Sequence, residues 1–515
     1  MSAAGAHGSS PQSTMPSAPP PPSTYPSLAG YTPRSLVTDH AVIDLDVKAL
    51  SSMLLIRDFS SAMTIYRFCG SSDVVAEFEA VVPLDVAAKT MVTGKSVGGS
   101  DITGKLQRQH SGSAGQGLAD SPAQRVKVNH GIGLDRFFPN GGCQAYDRLG
   151  NQDRSTAFTM LASAGLGLNT SGCFVNEAFF MNSSAGMPMS LTPQISAAFN
   201  FSIVSKRTLK SLSSEADVTM KTSCAQADCQ FFATFQKYYD FYGQADYAYS
   251  WISAALQGQA AVFPGNGYGQ SMSQARFDLE FGDTAGSQSP YHPLMKAAAT
   301  RTAVIGMSLW MMVIRQFEAA LSICTETDEN PVRQWDIGVA FYTGSRQEID
   351  QDPPSGQLLY HAADTLCRRF NTCGSTDSDS SSNSTGTAQV NLDLFETFEA
   401  GRGYLETREC ARTSAQLERI TSLMTVPLVQ GVLEIAYVIG ETRDRNLDFS
   451  VTDMDLSLNS TGQGGQYAAV GAGAAYAAAL LPLLYECSPT AAATVYDHMR
   501  LDAYNTLDML AVKGA

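Results

Sequence analysis

Apolar residues recur every three or four positions over most of the chain, the spacing that places them on one face of an amphipathic helix. The pattern is clear over residues 40–70, 231–257, 293–323 and 413–439. In the last of these, one face would carry Leu417, Ile420, Met424, Leu428, Gly431, Ile435 and Ile439. The sequence therefore predicts an all-α fold, a multi-helix array. Three related segments, MTIYRFCGSS, GVAFYTGS and ATVYDHMR, suggest that the array is internally duplicated.

One long stretch departs from helical periodicity. Residues 74–204 are rich in Gly, Ser, Asn and Thr and contain β-prone pieces such as FVNEAFFM and AAFNFSIV. They are predicted to form an irregular Gly/Ser-rich insertion with a few short strands. The predicted organisation is a disordered Pro/Ser-rich N-terminus over 1–36, the first helices over 37–73, the insertion over 74–204, and the main helical domain over 205–512.

One uncharged run, Tyr467–Tyr485, reaches the length of a membrane-spanning helix. Its bulk is Ala and Gly, and it contains Pro482. We interpret it as a buried, closely packed helix. Membrane association is left open, without a clear transmembrane span.

Charge and cysteine content restrict the partners and the compartment. The net charge of −15 argues against a nucleic-acid partner, because phosphate binding needs a basic surface. Ten cysteines include two close pairs, Cys224/Cys229 and Cys367/Cys373, neither with the spacing usual for zinc. Five N-x-S/T sequons also favour an oxidising, secretory environment, although residues 1–34 lack the pattern of a signal peptide.

Motifs of common enzymes are missing from the sequence. It contains neither G-x-S-x-G nor H-E-x-x-H, and its seven histidines are scattered. The string Gly99–Lys105 resembles a phosphate loop but is followed by Leu106, which cannot supply the hydroxyl that binds magnesium. We therefore expect that the protein is not an enzyme. A metal-dependent enzyme is the alternative.

Tyrosine and aspartate side chains occur together in the predicted helices. Phenolate and carboxylate oxygens are hard ligands that suit Fe(III). The first-choice metal ligands are Asp336, Tyr342, Tyr360, Asp364, Asp240 and Tyr242, and the second choice is Glu434 and Tyr437. The competing interpretation is that the tyrosines pack in the core and their hydroxyls bond to the backbone.

Several blocks resemble one known family. They include IYRFCGSSD (65–73), YYDFYGQADYAYSWISAALQG (238–258), WDIGVAFYTGS (335–345), LLYHAADTLCRRFNTC (358–373), VNLDLFETFEAG (390–401) and MTVPLVQGVLEIAY (424–437). In these blocks the chain resembles the algal iron-assimilation proteins, which include the phytotransferrins of marine phytoplankton. The blocks follow the family's order over residues 40–73 and 205–512.

The resemblance implies a secreted or cell-surface protein that captures Fe(III), together with carbonate, for high-affinity iron uptake. A surface reductase or an uptake receptor would be its partner. Arg276 or Arg368 would pair with the carbonate, because a guanidinium matches a planar anion. The alternative is a structural or adhesive surface glycoprotein that uses the helices as a scaffold and binds no stoichiometric metal.

Overall fold

The structure is a computed structural model. It describes residues 27–35, 37–68, 72–83, 91–95, 101–108, 123–131, 181–182, 196–212, 232–265, 272, 274–277, 292–325, 330–345, 356–375, 384–445, 463–503 and 506–515. Cys224 and Cys229 lie outside these residues, as does most of the β-prone piece FVNEAFFM.

Helices dominate the described residues outside the insertion, which confirms the all-α prediction. They are α1 Thr38–Ala41, α2 Ile43–Leu55, α3 Phe59–Phe68, α4 Ala233–Tyr242, α5 Tyr247–Gln257, α6 His292–Ala303, α7 Trp310–Ser322, α8 Pro331–Thr343, α9 Leu359–Phe370, α10 Gln389–Glu406, α11 Cys410–Arg445, α12 Gln463–Cys487, α13 Pro489–Met499 and α14 Met509–Gly514. A π-helical segment, Val304–Leu309, joins α6 to α7 without a break.

Strands form one larger sheet and two small ones. The strands β1 Ser72–Pro83, β2 Met91–Lys95, β3 Asp101–Arg108, β4 Ala123–Gly131, β5 Met181–Asn182 and β6 Ser196–Arg207 pair antiparallel in the order β2-β3-β4-β1-β6-β5. The small sheets pair β7 Ala260–Ala261 with β8 Ala275–Arg276, and β9 Cys373–Ser375 with β10 Ser384–Ala388. The insertion thus holds strands of up to 12 residues, longer than the short ones expected.

Helix boundaries follow local chemistry. The helix α8 begins after Asn330, whose side chain accepts from the amide of Arg333, and Pro331 occupies its first turn. The single helix predicted over 231–257 is wrong, because α4 ends at Gly243 in a left-handed conformation (φ +74°). A new helix, α5, then starts at Tyr247.

The core lies where α12 packs against α6 and α11. All seven residues predicted for one face of α11 are buried. Close approach is possible because α12 carries glycine at contact points: a Cβ at Gly471 would collide with the carbonyl oxygen of Met295. This confirms the interpretation of the Ala/Gly-rich run as a buried, closely packed helix.

Three helical stretches are nevertheless long and apolar enough to cross a membrane. They are His292–Ser322, Cys410–Gly440 and Gly465–Cys487. In the fold, 94%, 61% and 78% of their most apolar windows are buried. By length and composition they are candidate spans, and in this fold they supply much of the core.

Part of the segment predicted to be disordered is ordered. Residues 27–35, which we call the N-terminal strap, lie against α8 and α10, and Tyr31 is 0% exposed. Its hydroxyl donates to Asp336 Oδ1 at 2.6 Å, and the guanidinium of Arg402 lies 4.8 Å from its ring centroid. Composition alone missed this docking because it depends on partners more than 300 residues away.

Candidate functional site

Asp336, the first of the predicted ligands, holds the strap. Its carboxylate accepts from the hydroxyl of Tyr31 and, at 2.8 Å, from the amide of Arg34. Burial raises its pKa above the ordinary value, although hydrogen bonds from Tyr31, Arg34 and Ser35 oppose the shift. Both carboxylate oxygens of this buried aspartate therefore bond to the protein itself.

Three other predicted ligands do come together, around a residue that sequence reasoning missed. The side-chain nitrogen of Asn391 donates to Asp364 Oδ1 at 2.7 Å and to the carbonyl oxygen of Tyr360 at 2.9 Å, and the hydroxyl of Tyr342 donates to its amide oxygen. We call these residues the Asn391 cluster. Burial, with Asp364 and Tyr360 adding repulsion, raises the pKa of Tyr342 well above 10.0. The phenol is neutral and hydrogen-bonded, and the cluster joins α8, α9 and α10.

Asp240 and Tyr242 are not neighbours at a site. Asp240 is exposed and accepts from Gln236, whereas Tyr242 is buried and donates to the carbonyl oxygen of Ala478 at 2.6 Å. Pro482 has no amide hydrogen with which to bond that carbonyl four residues before it. The tyrosine hydroxyl therefore satisfies a backbone acceptor that the proline leaves open.

The remaining predicted residues divide between the surface and a cavity. Tyr437 is 52% exposed, and Arg276 and Arg368 are also exposed. Glu434 is different, since its side chain is only 14% exposed and lies 3.9 Å from Arg369. It lines a cavity between α9, α11 and α12.

This Glu434 cavity has a volume of about 60 Å³. The polar side chains on its wall are Arg301, Thr302, Gln357, His361, Thr365, Arg369, Glu434 and Tyr476, and the apolar ones include Ile305, Met424, Pro427 and Leu428. The volume has room for roughly four water-sized groups, whereas a drug-sized ligand needs roughly 300–1,000 Å³. An ion with one small companion fits; a large organic ligand does not.

The helix α9 separates the cavity from the Asn391 cluster. His361, Thr365 and Arg369 follow one another at intervals of four and line the cavity. Tyr360 and Asp364 each precede one of these residues, so they lie on an adjacent face of α9, rotated by about 100°. On that face they bond to Asn391. The residues singled out from the sequence therefore fix the helix that presents the cavity's wall.

Two breaks in regular helical bonding border the same cavity. Ile305 and Gly306 belong to the π-helical segment, and Pro427 interrupts α11. Single π-helical turns occur often at functional sites, because they re-aim side chains and leave backbone groups free. Their position beside Glu434 and Arg301 favours this cavity as the functional centre.

Burial and nearby arginines act in opposite directions on the cavity's acids. Burial raises the pKa of Glu434, and Arg369 lowers it. Burial likewise raises the pKa of Tyr476, and Arg301 lowers it. The wall holds two guanidinium groups and only one carboxyl group, an excess of positive charge that attracts an anion.

Tyr476 is held in place by a glycine. A Cβ at Gly431 would lie 2.7 Å from its ring, so the ring can pack against α11 only because no side chain is there. Glu434 follows one turn later on the same helix. The phenol and the carboxylate therefore reach the cavity from facing surfaces of α12 and α11.

The donor set limits which metals could bind. Among the described residues no three His, Cys, Asp or Glu side chains converge. A metal in this cavity would need the phenol of Tyr476 and a non-protein ligand in addition to Glu434 and His361. Such an oxygen-rich set suits a hard trivalent cation better than zinc or copper.

Sequence reasoning missed four cavity residues: Arg301, His361, Arg369 and Tyr476. A signal existed for two of them, because Tyr476 stands alone in an Ala-rich helix and Arg301 is the only charged residue between Lys296 and Arg315. Comparison of the chain with protein-family models, with curated proteins and with solved structures gives no match. The function is therefore inferred from the residues themselves.

Proposed function

We propose that the protein is a metal-binding protein of the cell surface or secreted space that holds ferric iron in the Glu434 cavity for high-affinity uptake. The observation that carries the proposal is that a carboxylate, a phenol, an imidazole and two guanidinium groups all line one small cavity. The resemblance to the algal iron-assimilation proteins supports it. So do two disulfides, Cys324–Cys410 and Cys367–Cys373, which suit an oxidising compartment.

In this proposal Glu434 and Tyr476 supply oxygen ligands and His361 a nitrogen ligand. Carboxylate and phenolate oxygens are hard donors that match Fe(III). Tyr342, Tyr360 and Asp364 act one step away: through Asn391 they support α9, the helix that carries His361. Asp336 holds the strap instead. The role is binding and release, not catalysis.

The charge of the cavity wall implies that an anion binds together with the metal. Adding a trivalent cation to a wall with two arginines and one glutamate would leave a large uncompensated positive charge in a partly buried place. Carbonate would offset it and pair with Arg301 and Arg369, because a guanidinium binds planar oxyanions in bidentate fashion. These arginines replace Arg276 and Arg368 as the candidates.

Acid should weaken binding. Ligation requires Glu434 and Tyr476 to lose their protons, and burial already raises both pKa values. Metal binding therefore releases protons, and affinity falls as the pH is lowered. Protonation of carbonate acts in the same direction.

The test is a titration of the oxidised protein with ferric iron, with and without bicarbonate. The expected result is saturation at one iron per chain, dependent on bicarbonate, with affinity reduced at least tenfold in Glu434→Gln. Glu418→Gln, an exposed glutamate on the same helix, is the matched control and should bind as the unmodified chain does. Absence of stoichiometric iron under all conditions would overturn the proposal.

A second candidate is a surface scaffold without metal. It is favoured by the tyrosine hydroxyls: those of Tyr31, Tyr238, Tyr242 and Tyr342 all donate to protein acceptors. In that case bicarbonate and iron would leave the unfolding midpoint unchanged. Stabilisation by iron plus bicarbonate, but by neither alone, would exclude it.

A further inference from the structure

The disulfide Cys367–Cys373 closes a short loop at the end of the cavity helix. It links the last turn of α9 to β9, and β9 pairs with β10, which leads directly into α10. Within the loop, the amide of Thr372 donates to the carbonyl of Cys367 at 2.9 Å. The carbonyl of Thr372 in turn accepts from the amide of Gln389 at 2.9 Å.

The same loop contacts the opposite wall of the cavity. The side-chain nitrogen of Gln430 donates to Thr372 Oγ1 at 3.1 Å. Gln430 precedes Gly431, the glycine against which Tyr476 packs, and lies one turn before Glu434. The loop therefore joins α9, which presents His361 and Arg369, to α11, which presents Glu434.

The loop also borders the Asn391 cluster. The amide of Ala388, at the end of β10, donates to Asp364 Oδ1 at 2.7 Å, beside the bond from Asn391. Ala388 is paired with Cys373 in the small sheet. Freeing Cys373 would therefore loosen the hairpin that orients Asp364 and Asn391.

We infer that the Cys367–Cys373 disulfide is a redox-sensitive clamp on the Glu434 cavity, and that its cleavage by a thiol lowers the affinity for the bound metal. The inference rests on the proposed function, which names ferric iron as the bound metal. It gives the site a second release signal besides acid, namely a reducing partner or compartment.

The two sulfurs differ in exposure, which fixes the course of the reaction. Cys367 is 0% exposed, whereas Cys373 is partly exposed. A thiolate of an external dithiol attacks Cys373 Sγ, and Cys367 leaves with the electron pair and takes up a proton. The second thiol of the reagent then displaces Cys373, so two cysteine thiols and one reagent disulfide are formed.

Cys324–Cys410 serves as an internal control. It joins the residues after α7 to the first residue of α11, several helical turns before Glu434, and it does not include a residue of α9. Its loop spans 86 residues, whereas the clamp's spans 6, so the control bridge is the one expected to matter more for global stability. For metal affinity the proposal requires the reverse: loss of Cys367–Cys373 must weaken binding more than loss of Cys324–Cys410 does.

The experiment uses Ga(III) with bicarbonate, because thiols do not reduce Ga(III) as they do Fe(III). Binding is measured for the full chain before and after dithiothreitol, and for Cys367→Ser/Cys373→Ser and Cys324→Ser/Cys410→Ser. Reduction and the first variant should each lower affinity at least tenfold, reoxidation should restore it, and the second variant should bind normally. Unchanged affinity in the first variant would overturn the clamp.

Hydrogen exchange separates failure of the clamp from failure of the metal proposal. Without any metal, reduction should speed exchange at the amides of Ala388 and Gln389 while α6 stays protected. If reduction speeds exchange at these amides but the oxidised chain binds no metal, the iron site is refuted and the clamp is not. Unchanged exchange on reduction would refute the clamp, whatever the oxidised chain binds, and far-ultraviolet circular dichroism would verify that the variants are folded.

Discussion

Glu318 on α7 is a buried acid whose protonation should control stability near neutral pH. It is 3% exposed, and its Oε1 accepts from the amide of Thr234 at 3.1 Å. Among the described residues its Oε2 has no hydrogen-bond partner. Burial raises its pKa from 4.5 to about 7, although the bonds from Thr234 oppose the shift.

The sign of the effect follows from linkage. Because the folded-state pKa lies above that of the unfolded chain, the folded state binds the extra proton between about pH 4.5 and 7. Stability is therefore greatest below this window and falls as the pH rises through it. The charged form should cost about 3 kcal/mol at pH 8, about 2 kcal/mol at pH 6 and less than about 1 kcal/mol at pH 5.

Glu318→Gln removes the titration while keeping the shape. The variant should gain stability relative to the unmodified chain as the pH rises, by about 2 kcal/mol between pH 5 and pH 8. Urea unfolding midpoints of both proteins across that range measure the difference, and any constant effect of the amide cancels. Glu418→Gln, exposed on α11, is the control. A difference between the proteins that does not vary with pH would refute a buried, proton-binding Glu318.

Three substitutions test the packing around the site and the strap. Gly431→Ala should displace the Tyr476 ring, with an overpacking cost of about 1–3 kcal/mol against a helix-propensity gain of about 1 kcal/mol, and should weaken iron binding. Gly403→Ala is the control, because a new Cβ there meets nothing within 4 Å, and it should stabilise the fold by about 0.5–1 kcal/mol. Equal effects of the two substitutions on stability would contradict the packing described. Tyr31→Phe removes one hydrogen bond from the buried carboxylate of Asp336 and should destabilise the fold by about 1–3 kcal/mol. Proteolysis of the strap should become faster. An unchanged proteolysis rate would show that this bond does not hold the strap.

Helical periodicity correctly predicted those features of the fold that depend only on local sequence. The buried face of α11 and the packed, Ala-rich α12 follow from spacing and side-chain size alone. The break between α4 and α5 was missed because it depends on Gly243, which adopts a left-handed conformation and leaves room for the backbone of Gly265 beside it. The docking of Tyr31 on Asp336 was missed because a contact across 305 residues leaves no local pattern.

The candidate site was only partly predictable for a related reason. Oxygen-rich side chains in apolar helices correctly mark places where polar groups are buried, and Tyr342, Tyr360 and Asp364 do meet. The sequence could not show that Asn391 and the backbone satisfy them. It could likewise not show that the adjacent face of α9, with His361, Thr365 and Arg369, lines a cavity.

The most direct test of the account compares two tyrosines in the ferric titration with bicarbonate. A tyrosinate bound to Fe(III) gives a visible charge-transfer band, and in the proposed site that ligand is Tyr476. Tyr476→Phe should abolish the band, and Tyr342→Phe should keep it with weaker binding, because Tyr342 bonds to Asn391 and supports α9 from behind. A band that survives in Tyr476→Phe and vanishes in Tyr342→Phe would contradict the Glu434 cavity as the iron site.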